Sequence, residues 1–201
     1  MNRRHVLALL GLPALGGGLA PLTACTETGP AFSGVNLTGA DYARDFHLTD
    51  HNGQPRSLQD FKGKVVTVFF GYTQCPDVCP TSMLELAEVK KLLGPQGDKF
   101  QGIFITVDPA RDTAELLKAY MANFDPTFLA LRGTPEQTAQ VAQDYKVYYK
   151  KVEGKTPGSY TMDHSAGCYT YDTQGRLRLY HAYGTKADKL AADIRLLLAQ
   201  P

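Results

Sequence analysis

An uninterrupted apolar run, Val65-Val66-Thr67-Val68-Phe69-Phe70, leads directly into Gly71-Tyr72-Thr73-Gln74-Cys75-Pro76-Asp77-Val78-Cys79-Pro80. The run is β-branched and aromatic and lacks the polar alternation of a strand with one wet face, so it reads as a central strand buried on both faces. After it, Pro80 suits the first turn of a helix, where its missing N–H is no loss. Thr81 to Leu93 carries apolar residues at helical spacing, and Gly94-Pro95 stops it. Cys79 therefore lies at or near a helix N-cap. Unpaired N–H groups and the positive end of the helix dipole favour a thiolate there, which predicts a lowered pKa.

The remaining chain alternates strand and helix signals. Asn52-Gly53 between Phe46–Asp50 and Gln54–Leu58 predicts an entry hairpin. Gly102–Val107 is a second buried strand, and Asp112-Thr113-Ala114-Glu115 offers a capping box for a helix through Met121. A short strand at Phe128–Leu131 precedes a second capping box, Thr134-Pro135-Glu136-Gln137, whose helix runs to about Tyr145. Val147–Val152 reads as an edge strand or rigid connection. Tyr160–Ser165 then leads into a hairpin of Gly167–Asp172 and Arg176–His181, and a last helix carries Leu190, Ile194, Leu197 and Leu198 in one stripe. This order predicts an α/β fold with a central mixed β-sheet flanked by helices and an N-terminal β-hairpin extension. Thiols at the end of the first long strand, running into a helix, are where a thioredoxin-like sheet carries its chemistry.

At 201 residues the chain can bury one sizeable core. A net charge of +1 gives no basic surface for nucleic acid. The N-terminus differs in kind: a basic start, Met1 to His5, an apolar stretch broken by Gly and Pro, and Leu22-Thr23-Ala24-Cys25. This is the layout of an export signal over 1–24, too short and interrupted to span a bilayer. The last four residues look like a bacterial lipobox, which would make Cys25 a lipid anchor in the extracytoplasmic cell envelope; a plain secretory signal is the alternative. Arg3-Arg4 also fits twin-arginine export. Residues 25–40, rich in Thr, Gly, Ser, Pro and Asn, read as a flexible tether, with the folded domain over 41–201.

Three readings compete for Cys75 and Cys79. A structural disulfide would close too small a loop to constrain the unfolded chain much. A redox pair is open to an exported protein, although three residues separate these cysteines where the usual motif has two. As ligands, two thiolates favour Cu(I) or Zn(II). Structural zinc wants four ligands, usually with a second Cys/His pair at short spacing, and none is present. Cu(I) would be satisfied by two thiolates and one imidazole. His5 lies in the signal, His47 and His51 in the entry hairpin and His181 near a strand end, where surface or core roles suffice. His164 lies in a loop entering the sheet, and position alone leaves ligand and incidental loop residue equally open.

The segments Phe69–Pro80, Val107-Asp108-Pro109-Ala110-Arg111-Asp112-Thr113 and Asp163-His164-Ser165, in that order, resemble the Sco (SenC-type) family of copper chaperones for cytochrome c oxidase assembly. The likeness runs from about Phe46 to the C-terminus and includes Phe61-Lys62-Gly63-Lys64. It implies a thioredoxin-like fold and a copper site, for Cu(I) and also Cu(II), on Cys75, Cys79 and His164. It further implies delivery of copper to, or thiol reduction of, the copper-bearing oxidase subunit, with other copper chaperones or thiol reductants as further partners. The alternatives are an extracytoplasmic thiol-disulfide oxidoreductase with incidental metal binding and, more remotely, a peroxiredoxin-type peroxidase. Asp108, at a strand's C-terminal end, is expected to face and tune the cysteines, and Asp112 to cap a helix. Cys168 departs from the family pattern. On a strand shared with His164 it would lie on the same face about 13 Å away, so it is expected to be a buried hydrophobe rather than a ligand.

Overall fold

The computed structural model describes residues 31–200. The signal-like segment 1–24 and Cys25 lie outside the described residues. In chain order the strands are β1 (Val35–Asn36), β2 (Leu48–Asp50), β3 (Pro55–Arg56), β4 (Val65–Gly71), β5 (Phe100–Thr106), β6 (Leu129–Arg132), β7 (Tyr149–Glu153), β8 (Tyr160–His164), β9 (Cys168–Tyr171) and β10 (Leu177–His181). The helices are α1 (Val78–Leu93), α2 (Ala114–Met121), α3 (Pro135–Asp144) and α4 (Ala187–Leu198). Eight strands form one mixed sheet in the order β1-β10-β9-β4-β5-β6-β2-β3, and β7 pairs with β8 in a separate ribbon.

The expected central strand is β4, buried at every residue between parallel β5 and antiparallel β9. Its side chains alternate between two covered faces. Thr67 meets Thr170 at 3.1 Å on the face covered by α4, whose Asp193 binds His181 of β10. Phe70, on the other face, meets the ring of Tyr145 at the end of α3, edge-on at 5.1 Å. Helices therefore flank the sheet as predicted.

Locally signalled elements form where their chemistry places them. Thr134 and Gln137 make the reciprocal capping box of α3. The N-cap of α4, Lys186, has no capping side-chain bond, and Glu85 of α1 instead accepts the Ala187 N–H at 2.8 Å. This bond joins α1 to α4, which pack against one another.

Two segments differ from expectation. The fold begins before residue 41, because Val35 pairs with Tyr180 and the Asp193 carboxylate accepts the N–H groups of Ser33 and Gly34. A two-residue strand held by backbone bonds and one distant carboxylate leaves no apolar pattern to read, so its composition looks like a tether. Residues 160–164 form a strand of the ribbon rather than a loop. His164 and Cys168 thus belong to different sheets, and the distance expected along one shared strand does not apply.

Candidate metal centre

Beyond Gly71 the chain leaves the sheet, turns with the Cys75 N–H on the Tyr72 carbonyl at 3.2 Å, and enters α1. Asp77 occupies the N-cap without a capping side-chain bond. One free donor of the first turn, the Cys79 N–H, points instead at Cys75 Sγ, 3.4 Å away. His164 approaches from the end of β8, its Nε2 3.3 Å from Cys79 Sγ. Its Nδ1 lies 3.0 Å from the Ser165 carbonyl oxygen. A carbonyl only accepts, so Nδ1 carries the hydrogen and Nε2 turns a lone pair toward the sulfurs. Phe69 and Tyr72 hold the imidazole edge-on, with ring centroids at 6.0 and 5.9 Å.

Ligand atoms of Cys75, Cys79 and His164 all lie within 4.8 Å of one another. Cys79 is buried, whereas Cys75 and His164 are half-buried, so the centre opens to solvent on their side. The expected lowering of the Cys79 pKa is not found. Burial pushes this thiol well above its ordinary value, and the Cys75 sulfur and the Asp112 charge add to the shift. At this depth desolvation outweighs the helix dipole, and a thiolate needs a cation beside it. The three cysteines among the described residues are free, so the disulfide of a redox pair is not formed here.

Two sulfurs and one imidazole nitrogen make a soft set suited to a low-coordinate soft ion. No fourth Cys, His or carboxylate joins the cluster among the described residues, which disfavours the closed four-ligand arrangement of structural zinc.

Asp112 does not make the helix cap expected of it. Thr113 caps α2, accepting the Leu116 N–H at 3.2 Å. Asp112 is fully buried and accepts from the Thr73 N–H at 3.2 Å, the Thr73 hydroxyl at 2.6 Å and the Thr106 hydroxyl at 2.5 Å. It thereby pins the cysteine loop to the end of β5. Burial raises its pKa, and the two hydroxyl donors act against that rise. The sequence signal for this role was a threonine at the end of one strand and another in the loop just past its neighbour, with an acid close by that a threonine displaces from the cap. Asp108, expected to face the cysteines, is instead partnered by Arg111 and the Tyr160 hydroxyl.

The other imidazoles among the described residues lie elsewhere. His47 is exposed beside Asp45, His51 accepts the Ala130 N–H at 3.1 Å, and buried His181 binds Asp193 at 2.9 Å. Cys168 lies opposite Phe69 and His181 in β9, its thiol pushed up to about 12 by burial, and it takes no part in the cluster.

A thioredoxin-like sheet with two thiols at its strand-to-helix junction and an imidazole turned toward them defines a thioredoxin-like protein with a candidate metal centre. The chain belongs to the SCO1/SenC family, whose family model matches residues 35–199. It is 37% identical over 157 residues to the mitochondrial SCO2 homologue of Mus musculus, covering 77% of this chain and 62% of the mouse protein, under two thirds of that relative's length. Among solved structures it is similar to Bradyrhizobium japonicum ScoI with copper bound, with 45% identity, a TM-score of 0.69 and coverage of 75% of this chain and 96% of the other. It is also similar to apo Sco1 from Thermus thermophilus, with 37% identity, a TM-score of 0.71 and coverage of 83% and 95%. Among the described residues no helix is long and apolar enough to cross a membrane.

Proposed function

We propose that this chain is a membrane-tethered, extracytoplasmic copper chaperone that carries one copper ion on Cys75, Cys79 and His164 and delivers it to the copper-bearing subunit of cytochrome c oxidase. The observation that carries this reading is the convergence of two sulfurs and one nitrogen within 4.8 Å. A relative 45% identical that binds copper supports the same assignment. Copper is the cargo. The two thiolates suit Cu(I), and the imidazole nitrogen makes the set acceptable to Cu(II) as well. The half-open side at Cys75 and His164 lets a recipient's ligands approach and replace these donors one at a time.

Anaerobic Cu(I) titration of the reduced protein is expected to give one tight equivalent, with weaker binding after His164→Ala. Unchanged affinity in that variant would remove His164 from the site. Anchoring through Cys25 rests on the Leu22-Thr23-Ala24-Cys25 motif. Cys25→Ser is expected to release the protein from the membrane fraction, and retention of the variant there would count against a lipid anchor.

A second reading, thiol reduction of the recipient, is favoured by the asymmetry of the thiols, Cys75 half-exposed and Cys79 buried. Cys75 would attack the recipient's disulfide, and Cys79 would then resolve the mixed disulfide. Two electrons and two protons would pass to the recipient as the pair closes. A mixed disulfide trapped with Cys79→Ser would support this route.

A further inference from the structure

One side chain outside the ligand set touches both halves of the centre. Arg111 Nε donates to Asp108, and Nη1 donates to Gln74 Oε1 at 2.9 Å and to the Tyr160 carbonyl oxygen at 2.9 Å. The guanidinium lies over the Tyr160 ring, 3.5 Å from its centroid, and 5.7 Å from that of Tyr72. The Tyr160 hydroxyl donates to the second oxygen of Asp108 at 3.0 Å, closing a ring of contacts. Gln74 immediately precedes Cys75, and Tyr160 opens the strand that ends at His164.

The topology explains why such a tie matters. The ribbon carrying His164 shares no ladder with the eight-stranded sheet that carries the cysteines. Backbone pairing reaches His164 only through the link 165–167 to Cys168, opposite Phe69 of β4, so side chains share in setting the distance from imidazole to sulfur. A guanidinium suits the task because its donors diverge in one rigid plane that can also stack on an aromatic ring, whereas a lysine offers a point charge on a flexible stem. Arg111 Nη2 is buried with no hydrogen-bond partner, so the group is oriented by its neighbours' positions rather than by full satisfaction of its own donors.

We propose that Arg111 is a positioning residue, which with Asp108 and Tyr160 sets the spacing between His164 and the two thiols and so decides whether a bound soft cation has three ligands or two. This inference rests on Cys75, Cys79 and His164 forming the copper site. The loop half of the tie runs through Gln74, and the ribbon half through Tyr160.

The test uses the full chain with Arg111→Lys, Arg111→Met and Gln74→Ala. Hydrogen exchange of the metal-free proteins reads the hold on β8, and electron spin resonance of the Cu(II)-loaded proteins reads nitrogen coupling from His164. Both Arg111 variants are expected to exchange faster across residues 161–164 and to lose nitrogen coupling. Their copper affinity is expected to fall about 10–100-fold, as when other outer partners of metal ligands are removed, while Cu(I) remains held by the two thiols. Lysine is expected not to rescue, because its charge lacks the fork. Wild-type exchange and wild-type coupling in both variants would overturn the proposal. Should an Arg111 variant fail to fold, Gln74→Ala removes only an exposed arm of the tie, and unaltered coupling there would overturn the loop half. Copper bound by the wild type without nitrogen coupling would instead count against His164 as a ligand. In that case exchange in the metal-free protein still decides whether Arg111 holds β8.

Discussion

A methyl group built on Gly71 would lie 2.9 Å from Cys79 Sγ, 2.8 Å from the Phe104 ring and 2.9 Å from the Phe69 ring. The requirement here is closeness rather than unusual backbone, since the last residue of β4 is where the buried thiol packs onto the sheet. Neither ring can retreat, because both are completely buried and packed on each other at 6.1 Å. Sulfur is the neighbour that moves, and it is also the ligand. Gly71→Ala is therefore expected to destabilise the metal-free protein by about 1–3 kcal/mol, the usual cost of an extra methyl in a filled core. It is also expected to weaken copper binding, because the displaced sulfur no longer meets His164 Nε2. Urea denaturation and Cu(I) titration check the two halves separately. Wild-type copper affinity in a destabilised variant would show that the displacement falls on the rings instead.

Two hairpins at opposite ends of the sheet use one device, an aspartate followed three residues later by a left-handed glycine. Asp50 Oδ1 accepts the N–H groups of Asn52 and Gln54 while Oδ2 takes the Arg56 guanidinium. Asp172 Oδ1 accepts those of Gln174 and Arg176 while Oδ2 takes the guanidinia of Arg176 and Arg178. Gly53 and Gly175, at φ 81° and 77°, complete the two turns. Asp172 is 2% exposed, so its removal leaves several donors without an acceptor. Asp172→Ala is expected to cost about 2–4 kcal/mol in urea unfolding. A loss under about 0.5 kcal/mol would mean that the glycine and the ladder hold the turn unaided. Both turns were legible in the sequence from their glycines, and α3 from its Thr134 and Gln137 box, because each is decided within a few residues. The anchoring role of Asp172 was not legible, nor were β1, the β7–β8 ribbon and the hold of Asp112 on Thr73. These depend on partners brought together only by folding. The site divides the same way: the cysteines announce themselves at a strand-to-helix junction, whereas position set His164 apart from the other histidines but left ligand and incidental loop residue equally open.

Across the molecule, a buried polar chain runs from the cysteine strand through β9, β10 and α4 to the start of the fold. The Thr67 hydroxyl meets that of Thr170, which lies 3.4 Å from His181 Nδ1. His181 Nε2 meets Asp193, and Asp193 also accepts from Ser33 and Gly34. Nε2–H donates to the carboxylate, while the Thr170 hydroxyl can serve Nδ1 as donor or acceptor, so burial rather than hydrogen bonding decides the charge of this imidazole. Burial pushes His181 below its ordinary 6.5, outweighing the upward pull of Asp193. The unfolded chain therefore takes up this proton at higher pH than the folded one, and stability falls as pH drops from 6.5 through the folded value. A second descent has Asp50 and Asp172 among its contributors, beside Asp125. Burial acts to raise Asp50 and Asp172, but their N–H and arginine donors prevail and hold them below 3.8. Their stabilisation is present above 3.8 and is lost as pH falls through the lower folded values. Urea midpoints of the metal-free protein are thus expected to decline in two ranges, one below 6.5 and one below 3.8. His181→Gln, which keeps an amide donor for Asp193 but does not titrate, is expected to flatten the first range and leave the second. Burial also lowers His51, and that ring is untouched by the substitution, so the difference between the two proteins isolates His181. An unaltered slope in His181→Gln would assign the first descent to His51 instead.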